Sequence, residues 1–309
     1  MIWNWFTKAK DTTASAPKPR RSHPLGYVED PTRPDVFDPA LMHYPNGFVK
    51  GAPGPAGTDA QRAYRALQAR ALDAALAAIA TSSHASEYVL RGSVALARWF
   101  PDAARAPKDI DLVVASKTVT PADARPWIDE LCAAIPARLD RRGFSPSTPT
   151  VDGIWTYERA EGRRITAPWT RDDLRGEVQV DLVFHEEIIE APVETSFDGG
   201  RYTLKLATPA ESLAWKLLWL ATDMHPQGKD VYDAILLAEH TPIPRPLLAR
   251  VLANADERVE PPPEAEELGA WRELEALAWI DWAHFTNAYP ELVGGEGYVT
   301  QLKAALRFA

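Results

Sequence analysis

Asp109 and Asp111 are the residues in this sequence whose types and spacing are best suited to chemistry. They lie in the run 109–115, whose β-branched and apolar residues predict a buried strand. Residues i and i+2 of a strand point to the same face, so the two carboxylates would lie side by side. Like charges at that distance are costly unless a cation offsets them, and Mg²⁺ prefers one or two carboxylates plus phosphate oxygens. The pair therefore indicates a metal site, with a solvent-facing edge strand as the alternative.

A third carboxylate, Asp181, stands at the centre of a second apolar run, 178–184, which also predicts a strand. If this strand pairs beside the first, three carboxylates converge. Three carboxylates can hold two metal ions, which stabilise the attacking and leaving oxygens of a phosphoryl transfer. The sequence thus predicts metal ligation by Asp109, Asp111 and Asp181.

Gly92 and Ser93 precede an amphipathic stretch, 94–100, and follow a short strand candidate, 88–90. Glycine lets the backbone approach a ligand closely, and the start of a helix offers N–H groups and a positive end to phosphate. The serine hydroxyl adds a donor, although serine also simply caps helices. The pair gains meaning because it precedes the strand of Asp109 and Asp111.

Lys216 interrupts the apolar run 213–221. A buried ammonium needs an anionic partner, so this lysine is a candidate for contact with a triphosphate. The alternative is a lysine at the polar edge of its helix, with its ammonium reaching solvent. The run itself is far too short to span a bilayer.

The elements that must position these residues follow from hydrophobic periodicity and from capping signals. A capping box at Thr58 begins a helix that extends to about residue 80. The other predicted elements are a helix over 121–139, strands over 154–157 and 202–206, and helices over 208–222, 229–240, 244–254, 266–287 and 296–308. We therefore predict an α/β (α+β) fold: a mixed sheet with flanking helices over 58–206, followed by an all-helical domain over 207–309.

Composition limits the remaining possibilities. Residues 1–57 hold nine of the 27 prolines and show no periodicity, which predicts an irregular arm. A single cysteine, Cys132, excludes a disulfide framework and a Cys-based metal site, and it favours a reducing cytoplasm. The net charge of −9 argues against a nucleic-acid coat over the whole surface. It leaves room for a small basic cleft built from Arg91, Arg98, Arg105, Lys108 and the 163–164 arginine pair.

The order of the motifs carries a family resemblance. Leu90-Arg-Gly-Ser93 and Arg105-Ala-Pro-Lys-Asp-Ile-Asp-Leu112 resemble the Gly-Ser…Asp-x-Asp signature of the DNA polymerase β-like nucleotidyltransferases. Within that superfamily the chain most resembles the AbiEii/AbiGii toxins of type IV toxin–antitoxin systems. Lys216-Leu-Leu-Trp-Leu-Ala-Thr222 and Gly228-Lys-Asp-Val-Tyr-Asp233 are similar to the two later motifs of that family.

The resemblance implies a role for each matching residue. The implied catalytic residues are Asp109, Asp111, Lys216 and Asp230, and the implied nucleotide-binding residues are Gly92, Ser93, Lys216, Thr222 and Arg105. Asp233 is the other candidate for the C-terminal acid, and Lys108 is a further candidate for offsetting charge on the triphosphate. Residues 58–206 would then form the nucleotidyltransferase domain.

The resemblance also implies an activity: Mg²⁺-dependent transfer of a nucleoside monophosphate from an NTP to RNA, at the 3′ end of tRNA, with release of pyrophosphate. A cognate antitoxin would be a partner without stable contact. Two alternatives stay open. One is transfer to a small molecule or a protein hydroxyl, which the acidic surface favours. The other is a nucleotide-binding protein that no longer turns over.

Overall fold

The structure is a computed structural model in which two compact units are distinguished, residues 1–53 and 54–309. The residues it describes are 35–37, 48–50, 58–156, 160–222, 226–253, 271, 274, 277, 280, 282–289, 291–292 and 297–309. In the first unit, β1 (Asp35–Phe37) pairs antiparallel with β2 (Phe48–Lys50). The rest of the predicted arm, and the acidic loop 256–267, lie outside the described residues.

The second unit is built on an eight-stranded mixed sheet. Its strands are β3 (Tyr88–Arg91), β4 (Ile110–Val114), β5 (Ser145–Pro146), β6 (Thr150–Thr156), β7 (Ala160–Arg171), β8 (Leu174–Val183), β9 (Val193–Phe197) and β10 (Tyr202–Leu206). The order across the sheet is β5-β7-β8-β4-β3-β10-β9, with β6 paired to β7. The pairs β4–β8 and β3–β10 are parallel, and the others are antiparallel. β4 therefore lies in the middle of the sheet, which rules out the edge-strand alternative for Asp109 and Asp111.

Eight α-helices accompany the sheet within the described residues. They are α1 (Asp59–Ala80), α2 (Gly92–Trp99), α3 (Arg125–Arg141), α4 (Pro209–Thr222), α5 (Gly228–His240), α6 (Arg245–Ala253), α7 (Trp282–Ala288) and α8 (Tyr298–Ala305). The predicted capping box is confirmed at α1, where the Thr58 hydroxyl accepts a hydrogen bond from the Gln61 N–H. The α/β class is confirmed, and the residues described after β10 form helices and one isolated bridge, between Ile243 and Phe308. None of the described helices has the length and apolar character needed to cross a membrane.

The C-terminal helices and the middle of the sheet share a hydrophobic core. Val89 of β3, Leu96 of α2 and Val113 of β4 belong to the same buried cluster as the apolar residues of α4, α5 and α6. On the other side, α1 contacts β8 and β10, and α3 contacts α1 and β7. This arrangement places the helix of Lys216 next to the strand ends that carry Gly92 and Asp111.

Five of the described strands were not predicted from the sequence: β1 and β2, which lie in the predicted irregular arm, and β5, β7 and β9 of the large sheet. The most important of these for the site is β7, which carries Arg164. Its sequence is polar and contains Arg163, Arg164 and Pro168, yet it pairs with β8 over ten residues. Asp172 and Asp173, both with positive φ, form the two-residue turn between these strands. Neighbouring strands on both sides thus keep β7 extended where its own composition does not.

The helix predicted over 266–287 is wrong in its extent, since its α-helical part is α7. Upstream, Trp271, Leu274, Leu277 and Ile280 are buried. The Leu274 N–H donates to the Trp271 carbonyl at 3.0 Å, a bond over three residues. A bond of this span belongs to a 3₁₀ turn, whereas an α-helix bonds over four residues.

Candidate active site

Strand register places four ionisable residues in a row across the sheet. Arg164 of β7 lies opposite Asp181 of β8, Asp181 lies beside Asp111 of β4, and Asp111 lies opposite Arg91 of β3. Residues at matching positions of adjacent strands share a face. The prediction that the strand of Asp181 pairs beside the strand of Asp111 is confirmed.

The turn between β3 and α2 fits only a glycine. Gly92 has a φ of 71°, and a Cβ atom there would overlap the carboxylate of Asp111. The left-handed backbone and the close approach thus both require a residue without a side chain. Ser93 is buried, and its hydroxyl donates to Oδ1 of Asp109 at 3.3 Å. The start of α2 and the two carboxylates are consequently in contact, as the spacing of the motif predicts.

Negative charge accumulates at Asp111. Burial, together with the carboxylates of Asp109 and Asp181, raises the pKa of Asp111 to about 7, although Arg91 and Lys216 oppose the shift. Within the described part of the chain, no cation forms an ion pair with Asp109 or Asp111. The site therefore contains two adjacent carboxylates that have no direct counter-ion among the described residues.

Asp181 has a different environment from the other two carboxylates. Nε and one terminal nitrogen of Arg164 donate to its two oxygens, each at 2.8 Å, and the Gln179 amide donates at 3.2 Å. Burial still raises the pKa of Asp181, while Arg164 acts to lower it. Over the residues with described side chains, no three His, Cys, Asp or Glu residues form a group arranged to hold a metal ion. Metal ligation by Asp181 stays a prediction.

Lys216 belongs to a buried ionic network. Its ammonium lies 2.6 Å from Oδ1 of Asp230 and 3.0 Å from Oδ2 of Asp233, and its side chain is only 6% exposed. Burial lowers the pKa of Lys216, but the two carboxylates outweigh this effect and the net pKa is raised. The alternative of a lysine reaching solvent is therefore wrong.

Arg105 joins the same network. Its guanidinium donates to both oxygens of Asp233, at 2.9 and 2.8 Å, and to the Tyr289 hydroxyl at 2.8 Å. Burial alone would raise the pKa of Asp233, but Arg105 and Lys216 hold it below its usual value. Both candidates for the C-terminal acid thus contact Lys216, and Asp233 additionally fixes Arg105. Contact of Arg105 with a triphosphate stays a prediction.

Two predicted residues have other partners. The Thr222 hydroxyl donates to the Leu218 carbonyl of its own helix at 2.8 Å, so no described contact joins it to Lys216. Lys108 is exposed, and its ammonium lies 4.8 Å from the centre of the Tyr289 ring. Lys108, which precedes Asp109 in the sequence, is therefore an exposed cation close to the site.

Four of the five arginines proposed for the basic cleft are paired with carboxylates, and the fifth, Arg98, donates to the Ser196 carbonyl at 3.1 Å. Arg91 lies 2.6 Å from Glu186, Arg105 pairs with Asp233, Arg164 pairs with Asp181, and Arg163 lies 2.9 Å from Glu161. Three of these four partners, Glu186, Asp233 and Asp181, are distant in sequence, whereas Glu161 lies two residues from Arg163 on the same strand.

Sequence reasoning missed the surroundings of Arg91. Its guanidinium lies over the rings of Trp215 and Trp219, at 5.1 and 5.3 Å from their centres, and beside Glu186. Trp219 also contacts the ammonium of Lys216, at 5.0 Å. The tryptophans on either side of Lys216 in the sequence were a signal, because their spacing of four residues puts them on one helix face.

A mixed α/β fold in which a glycine-serine turn faces paired carboxylates, with a buried lysine alongside, is the arrangement of an enzyme that transfers phosphate-bearing groups. The chain belongs to the AbiEii family: the family model described as "Nucleotidyl transferase AbiEii toxin, Type IV TA system" matches residues 74–296. That range includes every site residue described above. The resemblance predicted from the four motifs is confirmed, and the protein is a nucleotidyltransferase of a toxin family.

Two solved structures are similar to this chain. One is described as the crystal structure of a candidate nucleotidyltransferase from H. pylori, with 12% identity, a TM-score of 0.48, and coverage of 78% of this chain and 92% of that chain. The other is JHP933 from Helicobacter pylori, with 12% identity, a TM-score of 0.45, and coverage of 78% and 89%. A search of the curated proteins finds no match. Membership of the family implies a nucleotide substrate and an antitoxin partner.

Proposed function

We propose that this nucleotidyltransferase uses Mg²⁺ and transfers a nucleoside monophosphate from an NTP to the 3′ end of an RNA, with tRNA as the acceptor. The observation that carries the proposal is the pair Asp109 and Asp111, which lies against the Gly92-Ser93 turn without a cationic partner among the described residues. Two carboxylates supplemented by phosphate oxygens are the donors that Mg²⁺ prefers. Their oxygen chemistry and their uncompensated charge fit such an ion.

The reaction is a substitution at the α-phosphorus. The acceptor hydroxyl oxygen forms a bond to that phosphorus, the bond from phosphorus to the bridging oxygen breaks, and pyrophosphate leaves with the electron pair. The proton of the hydroxyl passes to solvent. Mg²⁺, when bound, offsets charge on the triphosphate and on the departing pyrophosphate. The chain contributes position and charge, because little covalent chemistry is required of a protein in such a transfer.

We assign a role in this reaction to each of the following site residues. Asp109 and Asp111 hold the ion, and Ser93 orients Asp109 through its hydroxyl. The N–H groups at the start of α2 bind phosphate, which the absence of a side chain at Gly92 makes accessible. Lys216, fixed by Asp230 and Asp233, supplies a permanent positive charge near Asp111. Lys108, which is exposed, is placed to meet the acceptor or the triphosphate.

Transfer to a small molecule or a protein hydroxyl is the second candidate. It is favoured by the ion pairs of Arg91, Arg105 and Arg164 with carboxylates, which reduce the positive charge available to an RNA end. A small acceptor needs no such cleft, whereas contacts with a phosphate backbone rely on Lys and Arg.

The test offers α-³²P-labelled NTPs and Mg²⁺ to the purified protein with separate acceptors: tRNA, other RNA, and an RNase-treated lysate fraction. Labelled tRNA is expected with the wild type and not with Asp111→Asn. Asp140→Asn, at an exposed position of α3, is the matched control and should label tRNA normally. Label appearing only in the RNase-treated fraction would establish the second candidate and refute the RNA acceptor.

A further inference from the structure

We propose that the active site binds a single divalent cation, between Asp109 and Asp111. Arg164 takes the place of a second cation, because its guanidinium pairs with the carboxylate of Asp181. This inference rests on the Mg²⁺ dependence of the proposed function. The inference concerns Asp181, the third carboxylate that the sequence predicted as a metal ligand.

The contacts of Asp181 carry the first step. Arg164 lies directly opposite it in the β7–β8 pairing, and the two N–H···O bonds of 2.8 Å engage both carboxylate oxygens. Such a two-point pair is the strong, geometrically specific form of a charge-assisted bond. The amide of Gln179, two residues before Asp181 on the same face of β8, donates a further bond at 3.2 Å. Three donors therefore already satisfy this carboxylate.

Electrostatics carries the second step. Mg²⁺ lies about 2.0–2.1 Å from its oxygen ligands. An ion bound to Asp181 would stand next to the guanidinium of Arg164, and arginine stays protonated at every accessible pH. The repulsion between the two cations opposes a metal at Asp181 for as long as Arg164 remains in place.

The balance of charge carries the third step. The described side chains around the site comprise four cations and six carboxylates, a difference of two negative charges. The cations are Arg91, Arg105, Arg164 and Lys216, and their direct partners are Glu186, Asp181, Asp230 and Asp233. Asp109 and Asp111 account for the remaining two charges. One divalent ion neutralises these two charges, so the described protein side chains themselves offer no net negative charge to a second ion.

Manganese binding tests the inference without relying on turnover. Mn²⁺ is titrated into the complex of the protein with a non-hydrolysable NTP analogue, and bound ions are counted by electron paramagnetic resonance. We expect one ion per chain for the wild type and two for Arg164→Met, which frees Asp181. Arg163→Met is the matched control, since its side chain points to the other face of β7, and it should bind one.

The double variant Arg164→Gln/Asp181→Asn makes the inference falsifiable even if Arg164→Met fails to fold, which circular dichroism would show. It keeps the net charge of the pair while removing both the guanidinium and the third carboxylate, so it should still bind one Mn²⁺ with its affinity changed by less than about threefold. Two ions on the wild type, one ion on folded Arg164→Met, or loss of Mn²⁺ binding in the double variant would each overturn the single-ion site. Transfer that proceeds in all three cases would leave the proposed function intact, whereas a wild type that neither binds Mn²⁺ nor transfers nucleotide would refute both.

Discussion

Two ionic clusters lie side by side in this protein and are built in opposite ways. In the first, Asp109 and Asp111 approach each other and the Gly92 turn, and no described cation pairs with either. In the second, the cations Lys216 and Arg105 share the carboxylates of Asp230 and Asp233, so charge is balanced within about 3 Å. Both clusters are formed from buried or partly buried side chains of the same core region.

The difference shows which charges serve stability and which serve function. A buried, balanced network costs much when one partner is removed, because the remaining charge is stranded. An unbalanced carboxylate pair instead costs free energy in the folded protein and gains from a ligand. We therefore expect substitutions in the first cluster to change activity without loss of stability, and substitutions in the second to lower the free energy of unfolding in addition to any effect on activity through Lys216.

The largest expected effect is that of Asp111→Asn on nucleotidyl transfer. The rate should fall by about 10⁴-fold, or about 5 kcal/mol, because the cation loses one of its two carboxylates. The thermal midpoint should stay the same or rise, because the substitution relieves repulsion from Asp109 and Asp181. Initial rates and thermal unfolding measure both. A large loss of stability would show that Asp111 belongs with the balanced cluster instead.

Asp233→Asn should have the reverse signature. It removes the carboxylate shared by Arg105 and Lys216, both nearly inaccessible to solvent, and should lower the free energy of unfolding by about 4 kcal/mol. Urea denaturation measures the change. Glu161→Gln, which removes the partner of the more exposed Arg163, is the control and should cost less than about 1 kcal/mol. Equal costs for the two variants would contradict the contrast.

Glu211 sharpens the comparison, because it is a buried carboxylate held by backbone rather than by cations. Its oxygens accept from the N–H groups of Ile189, at 2.6 Å, and Glu190, at 3.3 Å. Burial nevertheless raises its pKa from 4.5 to about 7. The folded state thus binds this proton more tightly than the unfolded chain, so stability falls as pH rises between about 4.5 and 7.

Glu211→Gln should remove that pH dependence. Relative to the wild type, the variant should gain up to about 3 kcal/mol between pH 4.5 and pH 8, the equivalent of the shift in pKa. Urea denaturation across that range measures the difference between the two proteins. A constant difference at all pH values would show that Glu211 ionises normally in the folded protein.

The smallest expected effect is that of Gly92→Ala on stability. The positive φ and the contact with the Asp111 carboxylate should together cost about 2 kcal/mol. Transfer should fall as well, because the turn moves away from the carboxylates. Gly199→Ala is the control: it also has a positive φ, but no atom lies within 4 Å of its Cβ position, so its cost isolates the backbone term. Equal effects of the two substitutions would show that close approach to Asp111 contributes nothing.

Much of the fold could be predicted because its signals are local. Runs of β-branched and apolar residues predicted β4 and β8. The helical period and the Thr58 cap predicted α1. β7 could not be predicted from its composition, since its polar residues remain extended only because β8 and β6 pair with it. The same limit applies to the helix predicted over 266–287, where the Leu274 N–H donates to the carbonyl three residues before it, since the choice of helix type depends on packing.

The site divides in the same way. By itself, the sequence predicted the candidate site residues and their order: the Gly92-Ser93 turn, Asp109 with Asp111, and Lys216 with its two downstream acids. Residue type, spacing and family motifs suffice for that. Only the tertiary structure decided which charges neutralise one another, because ion pairs such as Arg164–Asp181 and Arg105–Asp233 join residues far apart in the chain. Electrostatic interaction depends on distance in space, and strand register and helix packing set that distance.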